Sequence, residues 1–186
     1  MKPFVSRAGQ KLQHALDSFG IDPTGWICAD LGCSTGGFVD CLLENGAAKV
    51  YAVDTGYGVL DWKLRNDRRV IVMERTNALH VALPEKIDLV TVDAGWTRQK
   101  LIIPAAAGLL RAGGKIISLL KPHYEAEPRL LRHGVLPPES AQIIIASVQD
   151  DLRGAGFEIA AATPSPIRGT GGNVEALLLI NVPPPI

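Results

Sequence analysis

With 186 residues the chain is long enough for one full hydrophobic core and too short for two ordinary domains. A hydrophobic fraction of 47% with 20% charged residues excludes an intrinsically disordered chain. Lysines and arginines number 19 and acids 19, which excludes a protein that holds nucleic acid by overall positive charge and leaves only local patches for that purpose.

In chain order, Ser6 is placed to cap a first helix over residues 6–19, which stops at Gly20. Leu12, Ala15, Leu16 and Phe19 make its buried stripe, and Lys11 sits at the stripe's edge, where a lysine ordinarily snorkels to water. Asp22-Pro23-Thr24-Gly25 turns the chain into a short apolar run, 27–30, that ends in Asp30. A loop of small residues follows, Gly32-Cys33-Ser34-Thr35-Gly36-Gly37, and then an apolar helix from Phe38. Further strands are expected at 49–53, ending in Asp54; at 70–73, followed by Thr76-Asn77; and at 87–92, ending in Asp93. A helix over 97–110 and a turn at 111–114 lead to a fifth strand, 115–120. Lys121-Pro122 ends it, because proline cannot donate to a ladder. The segment 123–138 is long for a connection and reads as a lid or binding loop. The last helix, 139–153, precedes strands at 157–162 and 174–182. The Pro183-Pro184-Pro185-Ile186 tail cannot extend a central strand.

Strands alternating with helices predict an α/β, Rossmann-like, doubly wound sheet of seven mostly parallel strands. The last two strands are too close in sequence for a helical crossover, so the last one runs antiparallel. The whole chain, 1–186, is expected to form one domain. Ligands of such sheets lie beyond the carboxyl ends of the strands. Asp30, Asp54, Asp93 and Lys121 all stand there, and Glu175 stands at the start of the antiparallel strand that meets them.

The glycine loop opens a helix and so favours an anion or a zwitterion. It is not the dinucleotide pattern, because Ser34 occupies the position of the second glycine. Asp54, about 20 residues after the loop, is placed to hold ribose hydroxyls. A loop for a small zwitterionic tail and an acid for a ribose point to S-adenosylmethionine. The cofactor candidates are Asp30, Gly32, Ser34, Thr35, Gly36, Gly37 and Phe38 around the loop, with Asp54, Thr76, Asn77 and Asp93 along the other strand ends.

Cys28, Cys33 and Cys41 form no C-x-x-C pair, and His14, His80, His123 and His133 have no metal spacing, so a reduced chain without a metal is expected. No signal peptide and no bilayer-length apolar run occur, so the sequence reads as cytoplasmic, with no membrane partner.

Several segments together carry a family resemblance. They are Val5-Ser6-Arg7-Ala8-Gly9-Gln10-Lys11-Leu12, Asp30-Leu31-Gly32-Cys33-Ser34-Thr35-Gly36-Gly37-Phe38, Tyr51-Ala52-Val53-Asp54-Thr55-Gly56-Tyr57-Gly58, Glu74-Arg75-Thr76-Asn77, Lys121-Pro122, Pro164-Ser165-Pro166-Ile167 and Gly172-Asn173-Val174-Glu175. On these the chain resembles the hemolysin-A-type (TlyA) family of FtsJ-like RNA 2′-O-methyltransferases. The resemblance implies methyl transfer from S-adenosylmethionine to a ribose 2′-hydroxyl of RNA, ribosomal RNA above all, with S-adenosylhomocysteine as product. It also implies a Lys-Asp-Lys-Glu tetrad at Lys11, Asp93, Lys121 and Glu175, with the helix over 6–19 covering the active site. In that tetrad Lys121 acts as a base or as a cation that stabilises a developing alkoxide, Asp93 orients it, and Glu175 and Lys11 hold the hydroxyl.

The chain departs from the pattern in two ways. Family members of ordinary length carry an N-terminal S4-type RNA-binding domain, whereas this chain begins where the catalytic domain would. Ala94-Gly95-Trp96 stands where a Val-Ser-Phe-like stretch is usual, and Trp96 is either a base-stacking residue or a core residue. Arg7, Lys63, Arg65, Arg68, Arg69, Arg129 and Arg132 are the candidate RNA contacts. The rival functions are the same chemistry on a small-molecule or nucleotide acceptor, and a non-catalytic module that binds S-adenosylmethionine.

Overall fold

The computed structural model describes residues 4–182, so the Pro183–Ile186 tail lies outside the described residues. Five parallel strands come first: β1 (Ile27–Leu31), β2 (Lys49–Val53), β3 (Val70–Met73), β4 (Ile87–Val92) and β5 (Leu110–Leu120). Two more, β6 (Glu158–Pro164) and β7 (Ala176–Asn181), complete a seven-stranded sheet ordered β3-β2-β1-β4-β5-β7-β6. β7 runs antiparallel to both of its neighbours, as its short connection to β6 requires. The architecture is therefore the Rossmann-like α/β sheet that the pattern predicts, with crossovers packed on both faces.

The central strands β1, β4 and β7 are mostly apolar and buried because both faces of the sheet are covered there, whereas the edge strand β6 is half exposed. One face packs under α1 (Ala8–Phe19) and α2 (Gly37–Glu44), where Leu12, Leu16, Phe38 and Leu42 join Cys28 and Val50. The other packs under α4 (Gln99–Leu109) and α6 (Pro138–Gly154), where Ile102, Ile103 and Ile145 join Leu31 and Val90. Truncating any of these buried leucines or isoleucines to alanine would cost about 2–5 kcal/mol. All three cysteines are free and buried, and burial pushes the Cys28 thiol up to about 12. Among the described residues no helix is long and apolar enough to cross a membrane.

Three local expectations need correction, and one short helix has no counterpart among them. Ser6 does not cap α1: the N-cap is Arg7, and no side chain bonds the first turn. The Ser6 hydroxyl instead packs on the first residue of α2, where a Cβ at Gly37 would lie 2.3 Å from it. β5 begins at Leu110, not 115, because Leu110 already pairs with Ile87 and the intervening residues bulge out of register. A single-turn helix, α3 (Trp62–Arg65), follows β2, its first turn capped by the Asp61 side chain at 2.8 Å. It is too short to show a helical period in the sequence. Finally, 123–138 is not an open loop. It holds α5 (Pro122–Glu125), a 3-10 turn at Pro128–Leu130 and its own apolar cluster of Ala126, Leu136 and Ala141.

Candidate functional site

The carboxyl ends of β1, β2, β4 and β5 open on a cavity of about 390 Å³, within the usual size of a small-ligand pocket. Gly32, Ser34, Asp54, Thr76, Asn77, Asp93 and Lys121 line it. A narrower cleft of about 110 Å³ adjoins it and adds Asp30, Thr35, Gly37 and Phe38. Ten of the eleven cofactor candidates thus border this space. The exception is Gly36, which faces α3, where a Cβ would lie 2.3 Å from a Leu64 methyl carbon.

Gly32 is fixed by two constraints. Its φ is +87°, and a Cβ would lie 2.7 Å from the Asp93 carbonyl oxygen, so the crossing of β1 past β4 admits no side chain. The loop that follows is held by Asp54, whose carboxylate accepts the amides of Ser34 (2.8 Å) and Gly56 (2.7 Å). Asp30 is 1% exposed and accepts the Thr91 hydroxyl at 2.8 Å through one oxygen, while its other oxygen has no partner among the described residues. Burial, and after it the charges of Asp93 and Asp54, push its carboxyl up to about 8; the Thr91 hydrogen bond opposes them. A buried carboxylate with a free oxygen on the cleft fits a ligand ammonium group, and Asp54 fits ribose hydroxyls. The residues present therefore suit a zwitterionic nucleoside such as S-adenosylmethionine.

The four tetrad candidates form two ion pairs. Lys121 Nζ meets Asp93 Oδ1 at 2.5 Å, each side chain being nearly a fifth exposed. Lys11 reaches from α1 to the Glu175 carboxylate, and both are buried. The sheet register brings the pairs near each other, because the β5–β7 ladder ends on Leu120 opposite Ala176. The next residue outward on β5 is Lys121, and the preceding residue on the β7 chain is Glu175. His123 lies within the influence of both amines: burial lowers its pKa first, and the charges of Lys121 and Lys11 lower it further. Lys11, which its position on the helix alone would assign to snorkelling, is thus turned inward.

The surroundings of other residues near the site come from the structure alone. Asn173, 2% exposed, ties Glu175 down: its side chain accepts the Leu136 amide at 2.9 Å and donates to the carbonyls of Gly134 and Thr170. Trp96 is not a core residue; it is 85% exposed at the cavity mouth. Its backbone φ is +65°, and its ring lies 4.7 Å from that of Tyr124, which in turn lies 4.2 Å from His123. Four of the candidate RNA contacts are occupied by acids: Lys63 by Asp40, Arg65 by Glu74, Arg69 by Asp67 and Arg129 by Glu127. Among the described residues Arg7, Arg68 and Arg132 form no ion pair, a class that sequence alone cannot separate from the paired cations.

Comparison with known proteins agrees with this arrangement. The FtsJ-like methyltransferase model matches residues 4–181. YqxC of Bacillus subtilis, named as a candidate rRNA methyltransferase, is 38% identical over 187 residues, 97% of this chain and 66% of that protein. The 16S/23S rRNA (cytidine-2′-O)-methyltransferase TlyA of Mycobacterium tuberculosis is also 38% identical, over 95% of this chain and 68% of its own. The chain thus spans about two thirds of the length of these relatives. A solved structure of a candidate hemolysin from Lactococcus lactis superposes with a TM-score of 0.91 at 37% identity, covering 95% of this chain and 88% of that one. With its sheet order, glycine turn and strand-end acids already in place, the chain belongs to the FtsJ-like methyltransferase family, in its hemolysin-A (TlyA) branch.

Proposed function

We propose that residues 4–182 work as one catalytic domain that transfers a methyl group from S-adenosylmethionine to a ribose 2′-hydroxyl of RNA, ribosomal RNA in the first place, in the cytoplasm. The observation that carries this reading is the pairing of two amines, one on α1 and one at the end of β5, with two acids beside a cavity suited to that cofactor. Two relatives named for rRNA methylation support the choice of acceptor.

When bound, S-adenosylmethionine supplies a methyl group on a sulfonium sulfur, open to in-line displacement by oxygen. Asp30 would take its amino group, Asp54 its ribose hydroxyls, and Thr76 and Asn77 its adenine edge. Asp93 holds Lys121 at the cavity wall, where the ammonium can offset the charge that develops on the attacking oxygen or, deprotonated, accept its proton. Glu175, fixed by Lys11 and by the loop that Asn173 clamps, holds the hydroxyl in line. Helix α1 delivers Lys11 and closes the site from above. Trp96, exposed and backed by Tyr124, offers a face for the base of the acceptor nucleotide.

Transfer of labelled methyl groups to ribosomal subunits, followed by digestion to nucleosides, tests the reading. A 2′-O-methylnucleoside is the expected product; label on a base, or none on RNA, would overturn it. A small-molecule acceptor is the second reading, favoured by zero net charge and by the acids that occupy four surface cations. Label in a metabolite pool and not in RNA would establish it.

A further inference from the structure

A second cavity, of about 430 Å³, lies between the start of α6 and the β6–β7 connection, and it shares no lining residue with the cofactor cavity. The tetrad residue Glu175 forms part of its wall. We propose that this cavity binds one unpaired nucleotide of the RNA next to the acceptor nucleotide, and that it selects a base carrying an exocyclic amino group. The proposal rests on the RNA reading above and names a subsite of it.

The cavity has the two kinds of wall that a base needs. On one side are the rings of Pro164 and Pro166 and the side chain of Ile167, apolar faces against which a flat base can lie. On the other are Glu139 and Gln142, three residues apart and so on one face of α6. Among the described residues neither side chain has a hydrogen-bond or ion-pair partner within the protein. A carboxylate accepts from an exocyclic amine and repels a carbonyl oxygen, as in the pairing of acidic side chains with cytosine N4. The amide of Gln142 can both donate and accept at the same edge. Arg168, also on the wall, makes a single 3.4 Å contact with the Gly172 carbonyl and forms no ion pair among the described residues, so its guanidinium is available to a phosphate.

The site is also built firmly. The Ser165 amide donates to the Glu175 carbonyl at 3.0 Å, and its hydroxyl donates to the Ile167 carbonyl at 2.7 Å. The Gly169 amide donates to the Asn173 carbonyl at 2.9 Å. A Cβ at Gly169 would lie 2.1 Å from a Glu175 carboxylate oxygen, so the β6–β7 connection that carries part of this wall packs directly on the tetrad residue. A nucleotide seated here would be covalently continuous with one held at Lys121 and Asp93. This continuity gives a means of recognising a single-stranded site without high overall charge.

The test compares the wild type with Gln142→Trp, which fills the cavity from an exposed position, and with Glu139→Lys, which inverts base preference. Calorimetry with S-adenosylmethionine should show unchanged affinity in both variants. Methyl transfer to ribosomal subunits should fall at least about tenfold in kcat/KM, chiefly through KM, for Gln142→Trp. Labelled trinucleotides of single-stranded RNA with cytosine, adenine or guanine beside the acceptor should bind the wild type better than those with uracil, and Glu139→Lys should erase or reverse that order. If the wild type methylates ribosomal RNA and both variants match it, the subsite is refuted while the RNA reading stands. If the wild type methylates no RNA, that reading falls, and the trinucleotides decide the subsite alone. Binding lost in Gln142→Trp upholds it, whereas equal or absent binding in wild type and variant overturns it.

Discussion

Lys11 and Glu175 stand 164 positions apart in the chain and form a buried ion pair, joining the first helix to the start of the last strand. Removing one partner of such a pair leaves an uncompensated charge inside the protein and costs about 3–5 kcal/mol, whereas replacing both by apolar groups is often neutral. Glu175→Leu alone should therefore lower the urea midpoint strongly. Lys11→Met combined with Glu175→Leu should recover most of that loss and still transfer no methyl group. A double variant that is stable and active would remove the pair from the proposed chemistry.

Lys121 is the amine that faces the cofactor cavity. Lys121→Ala should lower kcat by roughly 10²–10³-fold, the range for removing one electrostatic stabiliser of a transition state. Calorimetric affinity for S-adenosylmethionine should stay as in the wild type. Lys121→Arg divides the two roles, because a guanidinium remains charged at any working pH and cannot act as a base. Partial turnover in that variant supports the cation; complete loss in a folded, cofactor-binding variant supports the base.

Much of this site was legible because strand ends are legible. Apolar runs closed by Asp30, Asp54, Asp93 and Lys121 mark where a parallel sheet presents its ligand crevice. The pairing of Glu175 with Lys11 was not legible from the residues, since a lysine beside an apolar stripe has the same pattern whether it snorkels outward or meets an acid. Only the family motif singled it out. The role of Asn173 is not legible because it arises from tertiary hydrogen bonds with Leu136 and Gly134, which no local period encodes. Ser6 misled for the opposite reason: it is a good capping residue whose hydroxyl packs on another turn. The basic loops look suited to RNA in sequence, but the acids that neutralise Lys63 and Arg65 come from other elements, Asp40 on α2 and Glu74 after β3.

Asp30 gives a pH prediction. Its carboxyl is pushed up from 3.8 to about 8, so between those values the folded protein holds a proton that the unfolded chain has lost. Stability from this group is accordingly lost as pH rises from about 4 to 8, and Asp30→Asn should flatten that slope in urea titrations. If the cofactor's ammonium group meets Asp30, binding near pH 7 should expel the proton. The calorimetric enthalpy would then differ between phosphate and Tris buffers for the wild type and coincide for Asp30→Asn. Equal enthalpies in the wild type would place the ammonium group elsewhere.

Trp96 pairs an unfavourable backbone with an exposed ring. Its φ of +65° is a left-handed conformation that costs an L-residue about 1–2 kcal/mol, and the ring recovers little of this by burial because it is 85% exposed. Such strain persists where the geometry has a use, here the presentation of an aromatic face beside Tyr124 at the cavity mouth. Base stacking on an aromatic ring contributes about 1–3 kcal/mol, so Trp96→Gly should raise KM for ribosomal RNA by roughly 5- to 150-fold. Stability should hold or rise, and affinity for S-adenosylmethionine should not change. Trp96→Phe should keep most of the wild-type KM. A glycine variant with unaltered KM would leave the tryptophan without a part in acceptor binding, and its strained backbone without an explanation in the proposed reaction.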